Sequence, residues 1–393
     1  MPPNIHEPII GLPGYKLVSY EGHKSVYFNV ELTAKPQCPY CEGRDLRTKD
    51  SFIRTIKHHS IGIQKTYLRI KTHKFCCRSC GRYFNQRLPG IRPRFRSSEP
   101  FREEVAVKHK HGICKSVLGQ FLNMGTATVE RCFQGYLKQE NKEFENASCP
   151  KILGIDDKNF SRKLGFMTTF ADLKRHRLYD VQLGRSELSL RRFLRKMPDK
   201  QNCKVVLMDL SETYRSIAKK YFTNAMIVAD RFHVIRLINH HFLKVWGTID
   251  EAGRKNRGLL SLMRRHPWNL KPEQEIKLRR YLKQNPALEA IYDFKQELTK
   301  MMLYRVYSKD EARKMIPKFL DAIRALKESG FRNFVTLGET LESWQEEIVR
   351  MWRFKKTNSI VEGMHTRMEE LIRRAYGFRK FENFRLRARL YLG

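Results

Sequence analysis

Residues 204 to 236 read KVVLMDLSETYRSIAKKYFTNAMIVADRFHVIR, and the pattern of this stretch decides the fold. Val205 to Met208 is a continuous apolar run ending at Asp209, and Ala225 to Ala229 is a second one ending at Asp230. Between them Ser211 to Tyr221 has helical spacing, with Ser211 as N-cap and Tyr214, Ile217, Ala218 and Tyr221 on one face. Strand, helix, strand in this order is a βαβ unit, whose parallel strands are covered on both faces. Such sheets gather functional side chains at the carboxyl ends of their strands, where both aspartates fall.

Upstream, the same logic extends the sheet. KILGIDD at 151–157 is a short strand ending in two acids, and 164–173 with 177–183 form a hairpin about the charged turn 174–176. A helix at 184–196, carrying Leu188, Leu190, Phe193 and Leu194, then leads into the strand before Asp209. The order β-β-β-α-β-α-β is that of an RNase H-like core, in which the ends of the first and fourth strands are neighbours. Asp156 and Asp209 are therefore expected to face one another. Two close carboxylates repel unless a cation favours their charged forms. Hard oxygen donors suit Mg²⁺ or Mn²⁺, and a pair of such ions serves phosphoryl transfer. An aspartate after a strand is often only a turn or cap residue, and the pairing is what favours the metal reading. Asp230 opens the element Asp-Arg-Phe-His233, which either orients an active-site group or contacts DNA, or else Asp230 caps a helix starting near Val234.

The chain has 393 residues, with 77 Lys and Arg against 41 Asp and Glu and a net charge of +36. This length implies two or more domains. The charge points to a polyanionic partner, because neutralising phosphates releases counterions. It is spread along the chain rather than along one amphipathic helix, which favours nucleic acid over a membrane surface. No secretory leader pattern and no apolar run of about 18 residues is present, so a soluble intracellular protein is expected.

Five of the nine cysteines lie between Cys38 and Cys80. Cys38 and Cys41 form one C-x2-C pair, and Cys77 and Cys80 form another, 35 residues on. Two such turns make a closed site of four thiolates for one structural Zn²⁺. Cys76 competes with Cys77 for the place before Cys80, while His58, His59 and His73 read as surface residues of basic strands. A hairpin over 15–33 precedes this site, and strands between Phe52 and Phe75 fill it. Helical patterns over 99–111 and 113–123 are followed by a tight turn at 123–125 and a helix from Thr126, taken as N-cap, to Glu140. The spacing resembles a helix-turn-helix whose second helix presents Thr126, Thr128 and Arg131 outward, while Val129, Cys132 and Phe133 face the core. Two ordinary packed helices share that pattern.

From His241 to Arg353 helical periodicity is nearly continuous, with segments expected at 272–284, 286–303, 308–327 and 340–352 and a kink at Pro317. The block reads as a helical insertion, either gripping DNA or simply bundled. A last helical region starts at Thr357 or Asn358, carries Glu362 in its first turn, and continues into the basic run containing Arg367, Arg373 and Arg374. By itself a first-turn glutamate is usually a dipole-complementing surface residue.

These residues resemble the ISL-three family of bacterial insertion-sequence DDE transposases over nearly the whole chain. The resemblance rests on the cysteine pairs, the helix-turn-helix, LGIDD at 153–157, MDLSETY, IVADRFHVI, and TNSIVEGMHTRMEELIRRAYGFRKFENFRLR. It implies a catalytic and metal-binding triad of Asp156, Asp209 and Glu362, with Asp230 and His233 as an accessory D-x2-H element. Asp157 is the alternative first ligand if the strand register slips by one, and His365 stands where family members often have Asn. The implied protein binds terminal inverted repeats and target DNA, and uses two Mg²⁺ or Mn²⁺ ions for cleavage and strand transfer. It works as a homodimer or larger assembly in the bacterial cytoplasm, at the nucleoid. The rival reading is a zinc and helix-turn-helix repressor whose core is inert. The expected division is a zinc-binding β domain over 1–95, the helix-turn-helix domain over 96–147, an RNase H-like core over 148–240 and 354–393, and the helical insertion over 241–353.

Overall fold

A long hairpin organises the amino-terminal part of the chain. Strands β1 (Tyr15–Glu21) and β2 (Ser25–Leu32) pair antiparallel, with Gly22 at φ 99° in the turn between them. Strands β3 (Leu46–Ile61) and β4 (Gln64–Cys77) form the hairpin proper, and β4 also pairs parallel with β2 and antiparallel with β5 (Tyr83–Asn85). Side chains alternate between faces, so Val26, Phe28 and Val30 on β2, Ile56 on β3, and Leu68 and Ile70 on β4 close one core with Ile10 and Leu12. The same parity corrects the expectation for His58. Two residues beyond Ile56, it points inward, is 1 % exposed, and bonds Ser98 Oγ at 2.8 Å and the Ile10 carbonyl at 2.6 Å. Burial lowers it to about 4, so it is a neutral structural residue rather than a surface one.

The structure is a computed structural model describing residues 10–305, 308–354 and 358–393, and the chain divides into two compact units, Met1–Lys142 and Glu143–Gly393. The helices Glu99–Lys110, Lys115–Phe121 and Thr126–Glu140 belong to the first unit with the cysteine-bearing sheet. They are held to β3 where Lys57 exchanges backbone bonds with Arg96 and Ser98, and where Glu104 accepts from the Ser60 N–H at 2.9 Å. Thr126 is the first helical residue, and Gly125 takes the N-cap position expected of it. The reason is the turn: Asn123 is left-handed (φ 49°), Met124 N–H bonds the Gly119 carbonyl at 2.8 Å, and Gly125 is the last extended residue. A Cβ on Gly119 would lie 2.8 Å from that Met124 carbonyl oxygen, so the glycine permits the close approach.

In the second unit β6 (Ile152–Ser161), β7 (Gly165–Asp172) and β8 (Arg177–Leu183) form an antiparallel meander. Strands β9 (Val205–Met208) and β10 (Met226–Ala229) add in parallel, giving the order β10-β9-β6-β7-β8. The last parallel pairs are Ile155 with Met208 and Met208 with Ala229. Asp156, Asp209 and Asp230 therefore follow at one level of three adjacent strands. Helix Glu187–Lys196 buries Leu190 and Leu194 and leaves Leu188 74 % exposed. Helix Glu212–Tyr221 is capped by Ser211 as expected. Helix Arg231–Ile249 begins three residues before Val234, which makes Asp230 its N-cap residue, and it runs through position 240 from the sheet into the helical part.

That part contains Pro272–Lys283, Pro286–Leu303, Lys309–Glu328, Arg332–Ser343 and Gln345–Arg353. Lys309–Glu328 is helical through Pro317. The single helix expected over 340–352 is two helices, interrupted at the buried Trp344 (φ −107°, ψ 13°). Trp344 is packed under the Arg215 guanidinium, which also bonds both carboxylate oxygens of the buried Glu347 at 2.9 Å and the Ser343 carbonyl at 2.8 Å. Breaking such a buried pair typically costs about 3–5 kcal/mol, so this knot fixes the helical part against the sheet. The final helices are Ser359–Arg374 and Phe381–Leu392, the latter moored to β8 by Arg385 on Asp180 at 2.6 and 2.7 Å. Asn358 occupies the N-cap position, and the alternative cap, Thr357, lies outside the described residues. Among the described residues no helix is long and apolar enough to cross a membrane.

Candidate metal centres and active site

The two C-x2-C turns repeat one backbone geometry. Cys38 N–H bonds the Gly43 carbonyl at 2.9 Å and its own carbonyl accepts from Glu42 N–H at 3.0 Å, while Cys77 N–H bonds the Arg82 carbonyl at 3.0 Å and its carbonyl accepts from Gly81 N–H at 2.9 Å. Glu42 and Gly81 are both left-handed, as a chain folding back around its own thiolates requires. The turns face each other: Cys38 Sγ lies 3.6 Å from Cys80 Sγ, and Cys41 Sγ lies 3.5 Å from Cys77 Sγ. Tetrahedral zinc with ~2.3 Å bonds separates its sulfurs by ~3.8 Å, so the four thiols fit that ion. Backbone N–H groups of Cys80 and Ser79 pull the Cys77 thiol down to about 6, toward the thiolate a metal needs. Cys76 is excluded by strand parity. It points away from the cluster, its Sγ toward the Gly81 carbonyl at 3.8 Å.

At the sheet, Asp156, Asp209 and His233 form a second cluster whose ligand atoms all lie within 4.8 Å of one another. Asp156 is buried on β6, and Asp209 ends β9 with Oδ2 at 3.1 Å from His233 Nδ1. Asp209 Oδ1 is buried without a hydrogen-bond partner among the described residues. A solvent-shielded, unpartnered oxygen on a carboxylate lying close to a second carboxylate is what a divalent cation would satisfy, so the donor set fits such an ion. Asp157, on the opposite face of β6, lies outside this cluster, with Arg185 at 3.8 Å.

Asp230 is 1 % exposed and is reached by the Asn358 N–H at 3.3 Å, while Asn358 Nδ2 donates to the carbonyl of Ile155 at 3.4 Å. Asn358 thereby ties the start of the last helical region to two of the three strand ends. Glu362 lies one turn further on, exposed and outside the three-residue cluster, though its charge is felt at His233. His365 was identified from sequence only as a departure from the family pattern. It is buried, with Nε2 2.9 Å from Thr169 Oγ1 and Nδ1 3.8 Å from Asp156 Oδ2. Nothing local to His365 or Asn358 marks them; only the docking of their helix brings them to β6 and β7. Of the residues expected to meet DNA, Thr126, Arg131, Arg367, Arg373 and Arg374 are exposed and Thr128 is half-buried. Arg373 and Arg374 pair along their own helix with Glu369 and Glu370.

Burial first, and then neighbouring carboxylates, push Asp156 and Asp209 well above the ordinary carboxylate range. Burial also lowers His233 and takes His365 down to about 4, leaving both imidazoles neutral. A raised folded pKa means that the unfolded chain releases its proton first. The penalty is absent below the unfolded value of ~3.9 and grows as pH rises through the raised folded values. The buried histidines, with His58 and His365 lowered to about 4, work the other way up to their unfolded value of ~6.5, so the metal-free protein is expected to lose Tm from about pH 7 to pH 9, and added Mn²⁺ to raise Tm most at the alkaline end. Differential scanning calorimetry of the wild type and of Asp209→Asn checks this, since the variant should show the flatter profile.

Comparison with known proteins finds matches in both parts of the chain. A family model described as a transposase, of the ISL-three (ISL3) DDE group, matches residues 153–388, and one described as the zinc-finger of transposase IS204/IS1001/IS1096/IS1165 matches 34–80. The transposase for insertion sequence element IS1001 of Bordetella parapertussis is 22% identical over 399 residues, spanning 98% of this chain and 96% of that protein. With a transposase match running across the carboxylate cluster and a zinc-finger match across the four cysteines, the chain belongs to the ISL-three family of insertion-sequence transposases.

Proposed function

We propose that this transposase binds its element's terminal inverted repeats and catalyses divalent-metal-dependent cleavage and strand transfer at Asp156, Asp209 and Glu362. The observation that carries the reading is the meeting of Asp156 and Asp209 from adjacent parallel strands, with a buried carboxylate oxygen left unpartnered among the described residues. The strand order β10-β9-β6-β7-β8, with only β7 antiparallel to the rest, supports an RNase H-like core over 148–240 and 354–393, interrupted by a helical insertion over 241–353. In the amino-terminal unit, a zinc-binding region over 1–95 and a helix-turn-helix over 96–147 are read as the end-recognition module. Its second helix presents Thr126, Thr128 and Arg131 to a major groove.

Two Mg²⁺ ions, or Mn²⁺, would be held by Asp156, Asp209 and Glu362, and the pair supplies activation of the attacking oxygen and stabilisation of the leaving one. The chain's own contribution is placement. Asn358 fixes the Glu362 helix against Ile155 and Asp230, and His365 backs Asp156 from the protein side. Arg367, Arg373 and Arg374 lie on the same helix and offer charge to the DNA backbone. Synapsis of two ends calls for a homodimer or larger assembly. A strand-transfer assay with a pre-cut end is the test. Joined product that depends on Mg²⁺ and disappears in Glu362→Gln is expected; nicking without joining would reduce the protein to a nuclease, and end binding without either would make it a repressor.

A further inference from the structure

We infer that His233 is itself a metal ligand through Nδ1, so that the carboxylate centre carries one nitrogen donor, and that Asp230 is the carboxylate that orients it. The inference rests on the reading that Asp156 and Asp209 hold a divalent cation.

Three observations carry it. His233 Nδ1 lies 3.1 Å from Asp209 Oδ2, and a ring nitrogen of His233 lies within 4.8 Å of an Asp156 carboxylate oxygen. Adjacent donors in an octahedron of ~2.1 Å bonds are ~3.0 Å apart, so the imidazole occupies an edge position toward any ion that Asp209 holds. The other ring nitrogen, Nε2, lies 3.8 Å from Asp230 Oδ2. Metal-bound histidines characteristically turn their second nitrogen to a carboxylate, which fixes the tautomer and the ring. Asp230 is in turn buried and held by the Asn358 N–H, a placement that serves an orienting group rather than a ligand open to solvent. Helix geometry explains why the motif works: Asp230 as N-cap and His233 three residues on lie on one side of the first turn of Arg231–Ile249.

A nitrogen donor shifts preference from Mg²⁺ toward transition ions, which imidazole suits better than a hard oxygen-only site does. The expected preference for Mn²⁺ over Mg²⁺ is at least ~10-fold in dissociation constant, narrowing in His233→Gln. Asp230→Asn is expected to weaken Mn²⁺ binding ~10-fold, as losses of outer-shell partners do, with Asp230 acting as a positioning residue.

The deciding measurement is electron spin-echo envelope modulation of Mn²⁺ added below one equivalent to the full-length zinc-loaded protein. Wild type is expected to show directly coordinated nitrogen. The signal should change isotope pattern when the protein carries ¹⁵N-histidine, and should vanish in His233→Gln. Isotope labelling requires no substitution, so the readout survives a variant that misfolds. Bound Mn²⁺ whose spectrum shows no nitrogen would overturn the histidine ligand and leave the carboxylate site standing. Nitrogen that persists in His233→Gln and is lost in His365→Asn would overturn it in favour of the other imidazole. Mn²⁺ binding no tighter in wild type than in Asp209→Asn would remove the metal site, and this inference with it.

Discussion

Asp209→Asn is expected to abolish metal-dependent end cleavage, a fall of at least ~10³-fold, while leaving binding to an end duplex within about twofold of wild type. The two halves of that expectation have separate physical origins. Asp209 stands one residue past the last β9 pairing and contributes a buried oxygen that no protein group satisfies among the described residues. Asparagine is nearly isosteric but neutral, and it replaces one anionic oxygen with a donor, so the electrostatic attraction for a hard cation drops. On the proposed reading, end binding rests on exposed arginines and on phosphate charge, none of which the change touches. The variant should also be more stable than wild type without metal, because it removes one of two buried carboxyls already pushed toward their protonated forms. Greater stability with lost activity marks a functional group; equal loss of both would mark a structural one. Cleavage of a labelled end and calorimetry on the same preparation make the distinction. Asp157→Asn is the matched control, since Asp157 lies outside the cluster on the same strand.

Cys77→Ser has the second largest expected effect, and it falls on the other unit. The hydrophobic cluster around the thiolates is small: Phe75 and Phe84 with Leu46 packed against them. So little apolar surface cannot hold two tight turns and a three-residue strand, β5, without a cross-link. The metal supplies it, and folding of such a site is coupled to binding. Zinc content measured by mass spectrometry is expected to fall from about one per chain to below ~0.1, with loss of the unit's cooperative transition. End binding should fall with it, while Mn²⁺ binding at Asp156 and Asp209 persists. Cys76→Ser is expected to keep the zinc, because β4 directs that sulfur elsewhere. Zinc loss in Cys76→Ser would show that the neighbouring cysteines had been assigned in the wrong order.

Much of the molecule is local, and local features are legible in a chain of letters. The runs before Asp209 and Asp230 are strands because continuous apolar residues, four buried in β9 and three in β10, suit a sheet covered on both faces, and Ser211 caps the helix between them because its hydroxyl accepts from the Tyr214 N–H. The cysteine spacing fixes two turns by itself. Where the reading missed, parity or packing intervened. His58 reads as a surface residue, but it shares the inward face of β3 with Ile56, and an apparently regular helix is split at Trp344, where Arg215 lies over the indole and bonds Glu347.

What the sequence determined about this protein is its set of elements and the identity of its chemical groups: a four-thiol site, two strand-end aspartates, a D-x2-H turn and a glutamate in the first turn of a late helix. What only the tertiary structure decided is which groups meet. Strand register put Asp156 rather than Asp157 beside Asp209, the first turn of Arg231–Ile249 brought His233 to both, and the docking of Asn358 on Ile155 and Asp230 placed His365 behind them. Those relations reach across just over two hundred positions of chain, 203 between Ile155 and Asn358, and hydrophobic spacing carries no information at that range. They are fixed by burial of the whole sheet, whose side-chain period of two makes a slip of one residue turn every inward group outward.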